Sequence, residues 1–168
     1  ISYKMDITPP VTNLTLLPAT PSGENDWYIT KPSINLSQRY EYDRSGTIIY
    51  YYWDDNFEDP YQYSGALNAL EGDHTLHYWA QDMAGNIEEL REVALKVDSL
   101  TPLSKFICNL ESDKSGWYRD SPVVKITTDA NSHIYYTFDL SNEKEWPGTQ
   151  EIKLDPGYHT FTYYAADE

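Results

Sequence analysis

Four histidines, His74, His77, His133 and His159, are the side chains of this chain best suited to moving a proton near neutral pH or ligating a metal. Their spacing speaks against both uses. His74 and His77 stand three residues apart, which on a strand sends them to opposite faces and makes them a poor metal pair. His74 and His159 each follow a glycine turn, in "GDHT" and "GYHT", and a histidine repeated in a repeated turn points to a structural role. No nucleophile elbow, HExxH helix, phosphate loop or dinucleotide fingerprint occurs. Acidic residues number 27, too many for any two to stand out as a general acid and base. The chain is therefore expected to be non-enzymatic and to require no cofactor.

Calcium is the more serious chemistry, because Ca²⁺ takes about 6–8 oxygen ligands from carboxylates and carbonyls. Asp82 and Asn86 share one turn, Asp98 lies at a junction between two halves of the chain, and Asp6 holds the equivalent junction upstream. Two readings stand: a calcium site of Asp82, Asn86 and Asp98 between modules, or simple turn capping. In the second, Gly85 supplies a positive φ and Asp98 starts an Asx-type turn. The acidic run "DDNFED" (54–59) is no EF-hand, since its sixth position is Asp59 and its twelfth is Gly65.

Tyr50, Tyr52 and Trp79 alternate away from the expected core, as do Tyr135 and Tyr164. Such a face could stack on sugar rings, contact a neighbouring module, or simply stabilise its own sheet through cross-strand pairs. Two sequons, Asn13-Leu-Thr15 and Asn35-Leu-Ser37, matter only in a host that glycosylates exported proteins.

Composition narrows the partners. Twelve basic residues face 27 acidic ones, a net charge of -15, which excludes phosphate-tracking nucleic-acid binding and disfavours anionic membrane surfaces. No apolar run approaches the roughly 18 residues of a membrane span. The lone cysteine, Cys108, permits neither an intrachain disulfide nor a cysteine-based zinc site. Twenty-five aromatics suit pleated, half-buried strands.

The elements that carry these residues come in two copies. His74 matches His159, Tyr78 matches Tyr163 and Asp82 matches Asp167, 85 positions apart in each case, and "IIYYYWDD" aligns with "HIYYTFDL" at the same spacing. "WYITKPSINL" pairs with "WYRDSPVVKI" at 90 and "MDITPP" with "VDSLTP" at 92, so the second copy has shorter loops. Within these segments the apolar period is two, the signature of strands. Positions apolar or aromatic in both copies mark the core: Ile34, Leu36, Ile49, Tyr51, Trp53, Leu76, Tyr78 and Ala80 in the first, Val124, Ile126, Ile134, Tyr136, Phe138, Phe161, Tyr163 and Ala165 in the second. Leu14 and Leu16 match Phe106 and Cys108, which makes Cys108 a buried small hydrophobe. Strands are expected in the first copy near 11–17, 27–30, 33–38, 46–53, 62–70, 73–81 and 88–97, with Pro32 and Pro122 marking a strand edge or bulge. No amphipathic helix is expected. Seven short strands in roughly the 92 residues of the first copy, repeated in part by the second, predict an all-β chain of two tandem Ig-like antiparallel β-sandwiches.

The expected divisions are 1–6 as the last strand of a preceding repeat, 7–98 as the first module, and 99–168 as a second module lacking its closing strand. "ISYKMD" aligns with "VALKVD" (93–98), so residues 1–6 of one molecule could complete the second module of another, head to tail. The alternative is that this short segment frays or folds back on its own module.

The "VDSLTP" junction and the "EGDHTLHYWAQDMAGN" ending resemble extracellular Ig-like repeats of bacterial and archaeal cell-surface proteins. The "IYYTFD" and "IKLDPGYHTFTYYAAD" segments are similar also to the chitobiase/hexosaminidase C-terminal accessory domain. The resemblance implies a cell-surface or secreted stalk, spacer or adhesive module whose partners are neighbouring repeats, glycans or other surface proteins. It leaves open an accessory carbohydrate-binding region of a polysaccharide-processing enzyme, and an envelope-lattice component.

Overall fold

The computed structural model describes residue 3 and residues 5–39, 46–129, 132–148 and 150–167. Among them there is no α-helix, only a single 3₁₀ turn at Glu24–Asp26; everything else regular is strand. The chain divides into two compact units, Ile1–Leu100 and Thr101–Glu168.

Unit 1 contains β1 (Thr12–Leu17), β2 (Trp27–Tyr28), β3 (Ser33–Gln38), β4 (Thr47–Trp53), β5 (Tyr61–Gln62), β6 (Leu67–Asn68), β7 (Gly72–Asp82) and β8 (Arg91–Val97). They form a three-stranded sheet, β1-β3-β6, and a five-stranded sheet, β2-β8-β7-β4-β5. All pairings are antiparallel except the parallel contact of β2 with β8. The period-two reading explains why these segments extend: Ile34 and Leu36 on β3 are buried while Asn35 and Ser37, which alternate with them, are exposed. Leu76, Tyr78 and Ala80 do the same on β7, and one apolar cluster joins them to Ile34, Leu36, Ile49, Leu95 and Val97 from both sheets. Full burial of a side chain such as Leu76 is worth about 1.5–3 kcal/mol.

Unit 2 contains β9 (Ser104–Cys108), β10 (Val123–Thr128), β11 (Ser132–Phe138), β12 (Lys144–Glu145), β13 (Ile152–Lys153) and β14 (Phe161–Asp167), in two sheets ordered β13-β10-β9 and β12-β11-β14. Its registers reproduce those of unit 1. Thr47 lies opposite Asp82 and Trp53 opposite Leu76; at the corresponding positions Ser132 lies opposite Asp167 and Phe138 opposite Phe161. Leu14 faces Leu36 and Leu16 faces Ile34, just as Phe106 faces Ile126 and Cys108 faces Val124.

Several expectations need correction. The strand foreseen at 62–70 is two short pieces serving different sheets: Tyr61–Gln62 pairs with β4, and Leu67–Asn68 pairs with β3. A single period-two run cannot register that crossing. The strand foreseen from 88 begins at Arg91: Ile87 makes an isolated bridge to Gln81 and the Glu88 amide donates to the Ala80 carbonyl, but the continuous ladder with β7 starts only where Arg91 meets Tyr78. Pro32 and Pro122 do not interrupt strands but precede β3 and β10, where their carbonyls accept from Ala69 and Leu154. Trp53, Phe138, Phe161 and Tyr163 pack on the core only half-buried, and Cys108 is likewise half-buried. Of the segment 1–6, Ile1, Ser2 and Lys4 lie outside the described residues. Tyr3 and Met5 belong to no strand and are 86% and 87% exposed.

Candidate functional site

The most organised polar arrangement is one that occurs twice. At the end of β4 the backbone turns through Asp54, which holds φ 53°, and its amide donates to the Thr75 carbonyl at 2.8 Å. The Asp54 carboxylate then accepts twice: from the Thr75 amide at 2.9 Å and from His74 Nδ1 at 2.8 Å. The other ring nitrogen of His74, Nε2, meets the Glu71 carbonyl at 2.8 Å. Asp139 holds φ 48° and its amide reaches the Thr160 carbonyl at 3.0 Å. Its carboxylate takes the Thr160 amide at 2.9 Å and His159 Nδ1 at 2.6 Å, while His159 Nε2 meets the Asp155 carbonyl at 2.9 Å. The preceding aromatic flanks each ring: Trp53 edge-on to His74, Phe138 stacked on His159 at 5.1 Å.

The electrostatics follow from these contacts. The Asp54 side chain, ahead of the Glu71 carbonyl, raises the His74 pKa above the ordinary histidine value, and the Thr75 amide, ahead of His74, lowers that of Asp54. Asp139 raises His159, and His159 followed by the Thr160 amide lowers Asp139. Chemically the arrangement is a clasp closing the β4–β7 connection. Neither histidine nitrogen is left free for a substrate.

Of the residues proposed for calcium, Asp82 and Asn86 come together and Asp98 does not join them. Asp82 is buried at 5% exposure, and both its carboxylate oxygens are occupied by Asn86, one by the backbone amide at 2.8 Å and the other by Nδ2 at 2.8 Å. Asn86 Nδ2 also reaches the Asp6 carbonyl at 3.2 Å. Asp98 follows Val97, which pairs with Gly72 at the start of β7, whereas Asp82 closes that strand. Ten extended residues at roughly 3.3 Å each put about 33 Å between those ends. Within unit 1 the three-residue site is thus not formed. Among the described residues no three His, Cys, Asp or Glu side chains converge as metal ligands.

Tyr50, Tyr52 and Trp79 do come together. Tyr50 stacks on Trp79 at 5.5 Å, and Tyr52 stacks on His77 at 4.6 Å while meeting the edge of Trp79. Tyr52 is only 8% exposed, so the three rings make an interlocked patch and not an open row. Tyr135 stacks on Tyr164 at 5.3 Å at the equivalent register of unit 2, with the Tyr164 hydroxyl directed to Glu143. Both sequon residues, Asn13 and Asn35, are exposed, although Asn35 Oδ1 accepts the Tyr63 hydroxyl at 2.8 Å.

Two features escaped the sequence reading. Asp54 and Asp139, the partners of the histidines, stand 85 positions apart in the aligned segments, so the repeat itself carried the signal. Glu88 carried none: it is one of 27 acidic residues, and its partner Thr12 lies 76 residues away. Compared with models of known protein families and with curated proteins, the chain matches none.

Proposed function

We propose that the chain is a tandem pair of Ig-like β-sandwiches from a cell-surface or secreted protein, acting as a non-enzymatic spacer and adhesive scaffold. The observation that carries this reading is repetition of structure without repetition of a free reactive group. Strand registers, the Asp–His–Thr clasp and the stacked outer pair recur residue for residue, and each serves to hold its own unit together. Strand order supports the sandwich assignment. β1-β3-β6 matches the A-B-E order of an Ig-type sandwich and β8-β7-β4-β5 the G-F-C-C′ order; β9-β10-β13 repeats the first and β14-β11-β12 the F-C-C′ part of the second. Force spectroscopy on the chain held at both ends tests the proposal. Two separate cooperative unfolding events are expected, one per unit; a single event, or turnover of a glycoside panel by the same chain, would overturn it.

A second reading, glycan binding, is favoured by one observation: Tyr50–Trp79 and Tyr135–Tyr164 occupy the same outward position in both units, and Tyr164 remains exposed. A glycan array probed with the chain and with Trp79→Ala and Tyr164→Ala variants separates the two readings.

A further inference from the structure

We propose that His74 and His159 form two copies of one pH-responsive clasp, each held as a doubly protonated imidazolium in the fold and each releasing its turn when that proton leaves. His74 Nδ1 lies 2.8 Å from a carboxylate oxygen of Asp54, and Nε2 lies 2.8 Å from the backbone carbonyl of Glu71. An ionised carboxylate and a carbonyl only accept, so both ring nitrogens must carry hydrogen. A neutral imidazole has one N–H and would turn a lone pair on the other acceptor. His159 meets the same pair of demands, Asp139 at 2.6 Å and the Asp155 carbonyl at 2.9 Å. Each carboxylate is committed as an acceptor on its second oxygen too, by the amides of Thr75 and Thr160. Two sites arrive at one solution from different loop sequences.

What the clasp holds can be read from its neighbours. Gly72 sits at φ 105° beneath the His74 ring, where an added Cβ would come within 3.2 Å of Nε2. The Glu71 residue whose carbonyl the ring grips also uses its carboxylate to hold Lys31 at 2.9 Å and the amide of Ser99 at 3.1 Å, just past β8. Losing the Nε2 bond therefore loosens a residue that anchors the end of unit 1.

The charges facing each ring set the direction. His74 faces Asp54 from the end of β4 and Asp73 from its own strand, and His77 acts on the same Asp54. His159 faces Asp139 and Asp155, and Arg119, Asp120 and Tyr118 line the cavity that it borders. The histidines are raised, so their contribution is complete below the ordinary histidine pKa of about 6.5 and is lost as pH rises through the higher folded value. The aspartates are lowered, so their contribution is complete above the ordinary carboxylate value of about 3.9 and fails only as pH falls through the depressed one. Both halves are fully engaged between those two ordinary values, in mildly acidic solution.

Ring-nitrogen NMR on the intact chain tests the protonation directly, and thermal unfolding across roughly pH 5 to 9 tests its consequence. At about pH 6, both nitrogens of His74 and of His159 are expected to carry protons. The melting temperature should fall as pH rises past the histidine range, and His74→Gln/His159→Gln should flatten that fall. A singly protonated ring at either residue at that pH, or an undiminished alkaline fall in the double variant, overturns the proposal. The NMR measurement needs no variant, so a misfolded mutant leaves the test intact.

Discussion

Replacing Glu88 by alanine is expected to destabilise unit 1 by about 3–5 kcal/mol, the range for removing one partner of a buried charged network. Glu88 is 8% exposed in the connection between β7 and β8. One carboxylate oxygen accepts the Thr12 amide at 2.8 Å and the other accepts the Thr12 hydroxyl at 2.6 Å. Arg91 stands 3.6 Å from the same carboxylate and also donates to the Thr12 carbonyl. Thr12 begins β1 on one sheet and Glu88 follows β7 on the other, so the group ties the two sheets at one corner. Hydrogen bonds to a charged acceptor are worth about 1.5–3 kcal/mol each, and truncation also leaves the fully buried Thr12 amide and hydroxyl without acceptors. Arg91 is partly exposed and stays solvated, so its ion pair adds little. Glu88→Gln keeps one acceptor for the amide and can donate to the hydroxyl, so it should cost about 1–2 kcal/mol. Thr12→Val removes only the hydroxyl and should cost a similar amount, with a coupling to Glu88→Ala of about 1–3 kcal/mol in the double-mutant cycle. Urea unfolding read separately for each unit is the assay. An effect of Glu88→Ala below about 1 kcal/mol, or additivity of the cycle, would refute the reasoning.

Further outcomes follow from the same geometry. Millimolar Ca²⁺ should leave the melting curve unchanged and give no calorimetric heat, because Asn86 occupies both Asp82 oxygens; a rise that Asp82→Ala abolishes would restore the metal reading. Gly72→Ala and Gly65→Ala should differ in sign: the first meets φ 105° and a crowded His74, whereas nothing lies within 4 Å of a Cβ at Gly65, where alanine should stabilise by about 0.4–1 kcal/mol. Thermal scans on the two variants check this. Trp79→Ala should lower stability by at least the ~0.5–1.5 kcal/mol of an aromatic pair, measured by urea unfolding.

Much of this architecture is legible in the sequence because two copies can be laid over each other. Alternation alone could not have chosen the inward face of "IIYYYWDD", where apolar and aromatic residues fill both faces. Comparison with "HIYYTFDL" singles out Ile49 and Ile134, which are buried, and leaves Tyr50 and Tyr135 outside as stacked partners. The two copies give no such guidance where one lacks a counterpart or where two positions exchange roles. Trp146 is the clearest case. It is the bulkiest buried residue of unit 2, donating its amide to the Ile134 carbonyl as Tyr63 donates to that of Ile49. Tyr63 spends its hydroxyl on Leu36 and Asn35, whereas the Trp146 indole nitrogen has no partner among the described residues. Similar spacing hides that substitution, since the two positions lie 83 apart and not 85.

That two-residue slip shows what the clasp constrains. Between the copies the spacing falls from 92 at β1 and β9 to 90 at β3 and β10 and to 85 at β4 and β11, so the earlier connections have changed length freely. Inside the segment closed by the clasp the chain has also been redistributed: β12 arrives two residues early relative to β5, and β13 regains both relative to β6. The net length has not changed, for Asp54 to His74 and Asp139 to His159 both span 20 residues. Loop-closure entropy cannot account for this, because two residues more or less in a loop of that size cost only about 0.1 kcal/mol. Geometry can. The aspartate must end one strand in a left-handed turn while the histidine and threonine open its antiparallel neighbour, and the register between those strands permits one alignment. A net insertion between Asp54 and His74 has to bulge outside the clasp or break it, whereas an insertion before β4 displaces nothing that the clasp holds.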